Sequence, residues 1–478
     1  MSFESAAEFV VVKVELIVLI YFFLINTFYG VLLVSAVIEM GSHLMRVWRE
    51  SGWRILGSEV APSLSMLTPA HNEAATVVQS VHALLTLQYP NLEVVLVNDG
   101  STDGTLGVVM HEFELVPIHP IYRRQIETRS VRGLYRSRIN PNLVVVDKEN
   151  GGKADALNAG LNVARGELVC AMDADTLIEP DALLRMARPF LMADDVVAAG
   201  GTIRVANGSE VRSGRIVAAR APRNWLAGVQ TVEYLRAFLF GRLGWNNLGG
   251  NLIISGAFGL FRRDAMIAAD GYLHDTVGED MELVAHLRRI GLERGTASRV
   301  EFIPDPVAWT EVPESFSTLG RQRDRWHRGL ADVLWRHRTL LLRPRYGLLG
   351  MVVYPYFLVF ELLAPVVEAV GLLGAVLGLA FGLLDTDFAI LFFLVAYGYG
   401  LVLSLFTLAL EEWSFHRYGD FKDRMLLLGW AVVENFGYRQ LTLLWRLRGL
   451  FKFVRGRTEW GAMARKGFKP PTPQKRAA

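Results

Sequence analysis

The stretch Val169-Cys170-Ala171-Met172-Asp173-Ala174-Asp175 is an apolar run that ends abruptly in two carboxylates one residue apart. Its length and composition read as a buried strand. Side chains alternate along extended backbone, so Asp173 and Asp175 emerge on the same side of the chain where the strand leaves the core. Carboxylates placed there suit Mg²⁺ or Mn²⁺, hard ions that take a carboxylate or two and fill the shell with water and substrate phosphates. An Asp-x-Asp pair also caps ordinary turns, so its meaning depends on what surrounds it.

Upstream, the same pattern recurs three times. Ser63 to Leu67 reads as a strand running into Thr68-Pro69-Ala70-His71-Asn72-Glu73, with a helix over 75–87. Leu92 to Val97 is a second strand ending in Asn98-Asp99-Gly100-Ser101-Thr102-Asp103. Leu143 to Val146 is a third, and Asp147-Lys148-Glu149-Asn150-Gly151-Gly152-Lys153 leads from it into a helix over 154–164. Short strands alternating with helices signal an α/β layered fold. Ligands of such sheets gather at the carboxyl ends of the strands, where all four polar clusters lie. Asp99 can accept hydrogen bonds from a nucleoside, the two glycines allow backbone amides to approach an anion, and Lys153 offers a point charge to a diphosphate. Between strands two and three, residues 119–141 carry Arg123, Arg124, Arg129, Arg132, Arg136 and Arg138 and read as a solvated loop, with anionic lipid headgroups as the functional rival.

Downstream, residues 249–263 form an apolar stretch pierced by Ser255 and Gly256, where a substrate can come close to backbone. Gly278-Glu279-Asp280 opens a helix over 281–290, and a carboxylate there either complements the helix dipole or acts as a general base. Gln322, Arg325 and Trp326 are spaced i, i+3, i+4 on a helix over 315–338. They share one face, which offers an amide, a guanidinium fork for phosphate and an aromatic plane for a sugar ring.

The chain has 478 residues, 51% of them hydrophobic, and a mean hydropathy of +0.27, which together favour a membrane protein. With 50 basic and 48 acidic residues the net charge of +2 implies no nucleic acid partner. The one cysteine, Cys170, sits in the apolar strand, so no intramolecular disulfide forms, and no Cys/His spacing suits zinc. Leu16 to Ile38 is long enough to cross a bilayer. Arg46, Arg49 and Arg54 follow it, which places the next domain in the cytoplasm. Residues 347–384, interrupted by Glu361, Pro365 and Glu368, and residues 388–410 bring the expected crossings to three, the first of these two being one long or kinked helix. Residues 425–450 carry Glu434, Asn435, Arg439, Arg446 and Arg448 and read as interfacial or re-entrant. Acidic groups at this depth either face a wet product path walled by Trp430 and Trp445 or pair with Arg439 and Arg446.

In order and kind, these motifs resemble those of the processive, membrane-integrated family 2 glycosyltransferases, the group that includes hyaluronan, bacterial cellulose, chitin-oligosaccharide and poly-N-acetylglucosamine synthases. The resemblance covers residues 60–340 by motif and the rest by membrane layout. It implies a GT-A-type nucleotide-sugar-binding domain, an α/β fold with a Rossmann-like mixed sheet, inserted between transmembrane helices. The expected division is a transmembrane helix over 1–50, the cytoplasmic domain over 51–313, an interfacial helix over 314–345, membrane and interfacial helices over 346–460, and a basic tail over 461–478.

By that resemblance the chain is an inverting inner-membrane enzyme, multi-pass with its catalytic domain in the cytoplasm, that moves N-acetylglucosamine or glucose from a UDP-sugar to a glycan acceptor. Thr68, Ala70, Asn72, Glu73, Asp99, Lys153, Asp173 and Asp175 would bind the nucleotide sugar, with Asp175 holding Mg²⁺ or Mn²⁺. Asp280 would be the base, with Glu279 beside it. Ser255, Gly256, Gln322, Arg325 and Trp326 would bind diphosphate and acceptor. The sequence departs from the family pattern in having Gly278 where many members have Thr, and His71 where Tyr is usual. Two alternatives stay open: a non-processive enzyme that glycosylates a lipid carrier, and a catalytically silent nucleotide-binding membrane subunit.

Overall fold

The computed structural model describes residues 3–49, 61–119, 121–173, 176–212, 214–384 and 386–456. The described residues divide into two compact units, one drawn from 43–222 and 251–312, the other from 3–42, 223–250 and 313–456.

The first unit is built on a mixed sheet. Its strands are β1 (Leu64–Ala70), β2 (Leu92–Asp99), β3 (Leu115–Ile118), β4 (Val131–Ser137), β5 (Leu143–Lys148), β6 (Leu168–Met172), β7 (Leu177–Ile178), β8 (Val196–Val205), β11 (Phe258–Arg262) and β12 (Arg299–Thr310), in the order β3-β4-β5-β2-β1-β6-β11-β8-β12-β7. β9 (Glu210–Arg212) and β10 (Arg215–Ala218) form a separate antiparallel pair. β5, β2, β1 and β6 run parallel, and β5 and β6 are buried along their whole length. Central strands with helices on both faces have no solvent side, so their sequences are mostly apolar, and polar residues within them such as Ser65 and Thr68 of β1 are buried too.

Helices Val77–Leu85, Lys153–Val163 and Glu279–Arg294 belong to this unit. Leu157 and Leu161 from the second, and Leu283, Val284 and Leu287 from the third, join Leu67, Val95, Val97 and Val146 in one core cluster. Truncating a fully buried member such as Leu161 to Ala would cost about 2–5 kcal/mol. The mixed sheet expected from the sequence is present.

The arginine-rich segment differs from its expectation. Part of it is β4, paired antiparallel with β5, and β3 beside it forms the sheet edge. Leu134 packs in the core and Ser137 is buried, donating to the Phe113 carbonyl at 2.6 Å, while Arg132 reaches across to Asp147 at 2.9 Å. Strand pairing satisfies backbone that a solvated loop would leave to water.

The second unit is helical. Helix Phe3–Arg49 contains the candidate span Val12–Trp48, and residues 386–414 form another. Leu349–Leu362 and Ala364–Ala380 are a bent pair, at 41°, that counts as a third if taken as one span. Pro365 stands at the bend, where it can donate no backbone hydrogen bond to the preceding turn. By length and composition the described residues hold two helices able to cross a membrane, or up to three if the bent pair is one span, where the sequence reading expected three crossings.

Residues 421–454 are a broken helix, with non-helical backbone at Phe436 and Gly437 between Phe421–Val433 and Arg439–Val454. Its polar groups are paired. Glu434 takes Arg236 and Ser404, Arg439 lies 3.3 Å from Glu368, and Arg446 donates to the Glu361 carbonyl at 2.6 Å. Both tryptophans are half-buried. Trp430 lies against Gly228, and Trp445 packs so closely on Gly320 that a Cβ there would sit 2.8 Å from its Nε1. Arg223–Gly250, which the sequence reading assigned to the catalytic domain, belongs to this helical unit because Leu226 and Val229 cluster with Leu319 and Tyr438.

Candidate active site

The carboxyl ends of β1, β2, β5 and β6 bring His71, Asp99, Lys148 and Asp173 to one edge of the sheet. Parallel strands in register stop together, so loops far apart in sequence become neighbours. Asp99 is 3% exposed and already engaged. Its Oδ1 accepts from Lys148 Nζ at 2.6 Å and from the Gly151 amide at 3.0 Å, and its Oδ2 accepts from the Gly152 amide at 2.8 Å. The amides that the sequence offered to a substrate anion thus hold an internal one. Gly152, at φ 86, and Gly100, whose Cβ would lie 2.5 Å from the Asn150 nitrogen, are glycines because the turn needs that backbone and that approach.

Lys148 is wholly buried. Besides Asp99 its ammonium lies 2.5 Å from Asp155 and donates to the Glu149 carbonyl at 2.5 Å, which uses all three donors. Lys148 and Asp155 were not among the sequence-derived site residues. The signal available was a lysine closing the apolar run of β5 with an aspartate seven positions on, which reads equally well as surface charge.

Asn72 is a pin between loops. It has φ 57; its amide donates to Ser101 Oγ at 3.0 Å, and its side-chain oxygen accepts from the Thr102 amide at 2.9 Å. The Glu73 amide donates to Thr105 Oγ1 at 2.8 Å. Thr68 and Ala70 are buried in β1, Ala70 as its last residue. His71 holds the Asp99 carbonyl through Nδ1 at 2.8 Å, and Asn150 donates to the same carbonyl at 2.9 Å.

The second half of the edge holds separated charges. Lys153, first residue of its helix, places Nζ 2.6 Å from Asp173 and 3.5 Å from Glu279. Burial opposes its charge, but Asp173, Glu279 and Asp280 outweigh that and raise the ammonium above the ordinary lysine value. Asp280 is half-exposed; its Oδ2 accepts from the Gly256 amide at 2.9 Å and its Oδ1 from the Met281 amide at 2.9 Å. β11 pairs with β6, Phe258 opposite Met172, so Ser255-Gly256-Ala257 lies beside the strand end and Asp173 donates its amide to the Ala257 carbonyl at 3.3 Å. A carboxylate aimed by a backbone amide, next to an ammonium between two acids, is equipped to accept a proton while a neighbouring anion is neutralised.

Asp175, the expected metal ligand, lies outside the described residues. Among the described residues no group of three His, Cys, Asp or Glu side chains could hold an ion. Asp173 nonetheless fits the donor set of a Mg²⁺ or Mn²⁺ site completed by substrate phosphates, as a partly exposed hard oxygen with Glu279 near its lysine partner.

Gln322, Arg325 and Trp326 lie in the helical unit, on helix Phe316–Arg336. Trp326 is 42% exposed and Gln322 and Arg325 are half-buried, while Arg323, Asp324, His327 and Arg328 are buried. Arg323 stacks over the Trp326 ring at 4.4 Å and donates to Glu233 at 2.6 Å. Asp324 takes Arg448 at 3.0 Å and also Lys452. The alternate residues of the motif therefore anchor the helix and fix which face remains open.

Residues 65–268 match the family described as Glycosyl transferase family 2, and residues 168–403 match Glycosyl transferase family group 2. The poly-beta-1,6-N-acetyl-D-glucosamine synthase of Staphylococcus epidermidis is 29% identical over 274 residues, 57% of this chain and 56% of that protein. The enzyme of the same name from Staphylococcus aureus (strain COL) is 27% identical over the same length and shares. The chain thus spans about half the length of the curated relatives it matches. Among solved structures, a mannosyltransferase from Pyrobaculum calidifontis in complex with GDP-Man and Mn²⁺ matches at a TM-score of 0.49 and 20% identity, covering 86% of this chain and 99% of that one.

Proposed function

We propose that this chain, which carries a family 2 glycosyltransferase domain, is a membrane-embedded inverting enzyme that adds sugar from a UDP-sugar to a growing polysaccharide. The donor sugar assigned is N-acetylglucosamine, from likeness to the poly-beta-1,6-N-acetyl-D-glucosamine synthases. The observation that carries the reading is the Asp280 carboxylate, aimed by the Gly256 amide at the same strand edge that holds Lys153 between Asp173 and Glu279. Displacement at an anomeric carbon needs a base for the attacking hydroxyl and neutralisation of the departing diphosphate.

Asp280 takes the proton of the acceptor hydroxyl. Lys153 leaves its carboxylates to meet the diphosphate, and Asp173 and Asp175 are assigned by motif as the residues that would hold a divalent metal for the phosphate oxygens. A bound Mg²⁺ or Mn²⁺ would supply further charge neutralisation there. Gln322, Arg325 and Trp326 are assigned by motif to the diphosphate and the acceptor end. Asp99 orders the turn that carries Lys153, with any nucleoside contact secondary to that task. The sheet unit is assigned to the cytoplasm from Arg46, Arg49 and Arg54 after the first span. Since Glu361, Glu368 and Glu434 have arginine partners inside the helical unit, none of them by itself demands a wet product path.

The test is to supply the purified full chain with a panel of UDP-sugars, follow UDP release, and identify the product by mass spectrometry. Fastest release with UDP-N-acetylglucosamine and a ladder of N-acetylglucosamine oligomers support the reading. Faster release with UDP-glucose displaces the donor, and release from none displaces the activity.

A further inference from the structure

Between helix Phe316–Arg336 and the bent helix pair that begins at Leu349, the chain makes a tight crest. Its base is buried: Leu340, Tyr346 and Leu349 are 0%, 5% and 1% exposed. Its backbone is pinned, with the Leu342 amide donating to the Gly350 carbonyl at 3.1 Å and the Arg343 amide to the Leu340 carbonyl at 3.3 Å. A Cβ at Gly350 would lie 2.7 Å from both the Arg343 and the Leu340 carbonyl, so the two limbs touch.

On this base every residue from Leu341 to Arg345 is exposed. Leu342 is held at φ 51, an unfavourable conformation for a leucine, and 61% of it is exposed. Trp335 beside the crest is likewise 61% exposed, with the Arg338 guanidinium 5.0 Å above its ring. Arg343 and Arg345 have no side-chain partner among the described residues, whereas Arg336 pairs with Asp332.

We propose that this crest is a docking site for anionic phospholipid headgroups. Its apolar residues, Trp335, Leu341 and Leu342, enter the acyl boundary, and Arg338, Arg343 and Arg345 meet the phosphates. The crest runs directly into a candidate span, which puts it at the height of the headgroups. An indole suits that depth, and guanidinium forks match phosphate oxygens. A rigid loop that exposes strained leucine next to unpaired cations matches a surface that is apolar within and anionic without. This inference rests on the membrane-embedded reading of the helices.

Cys170 is the sole cysteine and is fully buried, so L342C in the full chain offers one accessible thiol for a fluorophore. The labelled chain is placed in nanodiscs of phosphatidylcholine with phosphatidylglycerol, and quenching is compared between headgroup spin labels carried on either lipid. Quenching by the phosphatidylglycerol label is expected to exceed that by the phosphatidylcholine label about twofold or more. The preference should vanish in R338Q/R343Q/R345Q, and fall for the parent when salt rises from about 0.05 to about 0.5 M. Equal quenching by both lipids, or none by either in a chain that has entered the disc, overturns the inference. A chain that stays out of the discs overturns the membrane reading and the inference with it.

Discussion

Asp99 and Lys148 form a closed pair at 2.6 Å, both almost fully buried, at the ends of neighbouring parallel strands. The lysine also holds Asp155 and the aspartate also holds the Gly151 and Gly152 amides, so one buried cluster fixes the turn that carries Lys153. Breaking a buried pair by removing one partner leaves the other charge uncompensated.

Asp99→Asn is therefore expected to lower stability by about 3–5 kcal/mol as well as donor affinity. Thermal unfolding of the full chain in detergent or nanodiscs checks it. An unchanged melting temperature with weakened UDP binding would mean that Asp99 serves the nucleoside alone.

Asp280→Asn keeps an oxygen for the Gly256 amide and removes the base. Transfer should be lost while donor binding survives, read by UDP release and by calorimetry with UDP. Residual turnover within about tenfold of the parent would rule out Asp280 as the base.

Divalent metal should tighten UDP binding in the parent and do so far less in Asp175→Ala. Calorimetry with metal and with EDTA decides this. The same UDP affinity of the parent in both would sink the metal assignment.

Lys153 has its pKa raised above the ordinary lysine value by Asp173, Glu279 and Asp280, against the opposing effect of burial. A raised folded-state pKa keeps its contribution in full below the unfolded value of about 10.4, with loss only as pH climbs through the folded one. The pH–rate profile from about pH 6 to 9 should therefore show no limb belonging to Lys153. Lys153→Met should raise the KM for the donor and leave the shape of that profile unchanged. A basic limb in the parent that disappears in Lys153→Met contradicts the raised value.

The four runs that become β1, β2, β5 and β6 were legible because a strand buried on both faces is mostly apolar, and that constraint is written in consecutive residues. The helices long and apolar enough to cross a membrane were legible for the same reason, since that property is an unbroken length of apolar side chains. Spacing on one helix likewise put Gln322, Arg325 and Trp326 on a shared face, since that relation needs only the helical period. What only the tertiary structure decided were partnerships across long separations. Asp99 meets Lys148 49 residues away, and Gly256 meets Asp280 24 residues away. No local pattern shows whether a carboxylate at a strand end faces a substrate or a buried ammonium. Strand β4, which lies between β5 and the edge strand β3, was hidden because Arg132 and Arg136 obscured the buried Leu134 and Ser137. The acidic residues Glu361, Glu368 and Glu434 of the helical unit acquired their meaning only when folding brought Arg446, Arg439 and Arg236 against them, because the cost of burying a charge depends on the partner and not on the residue alone.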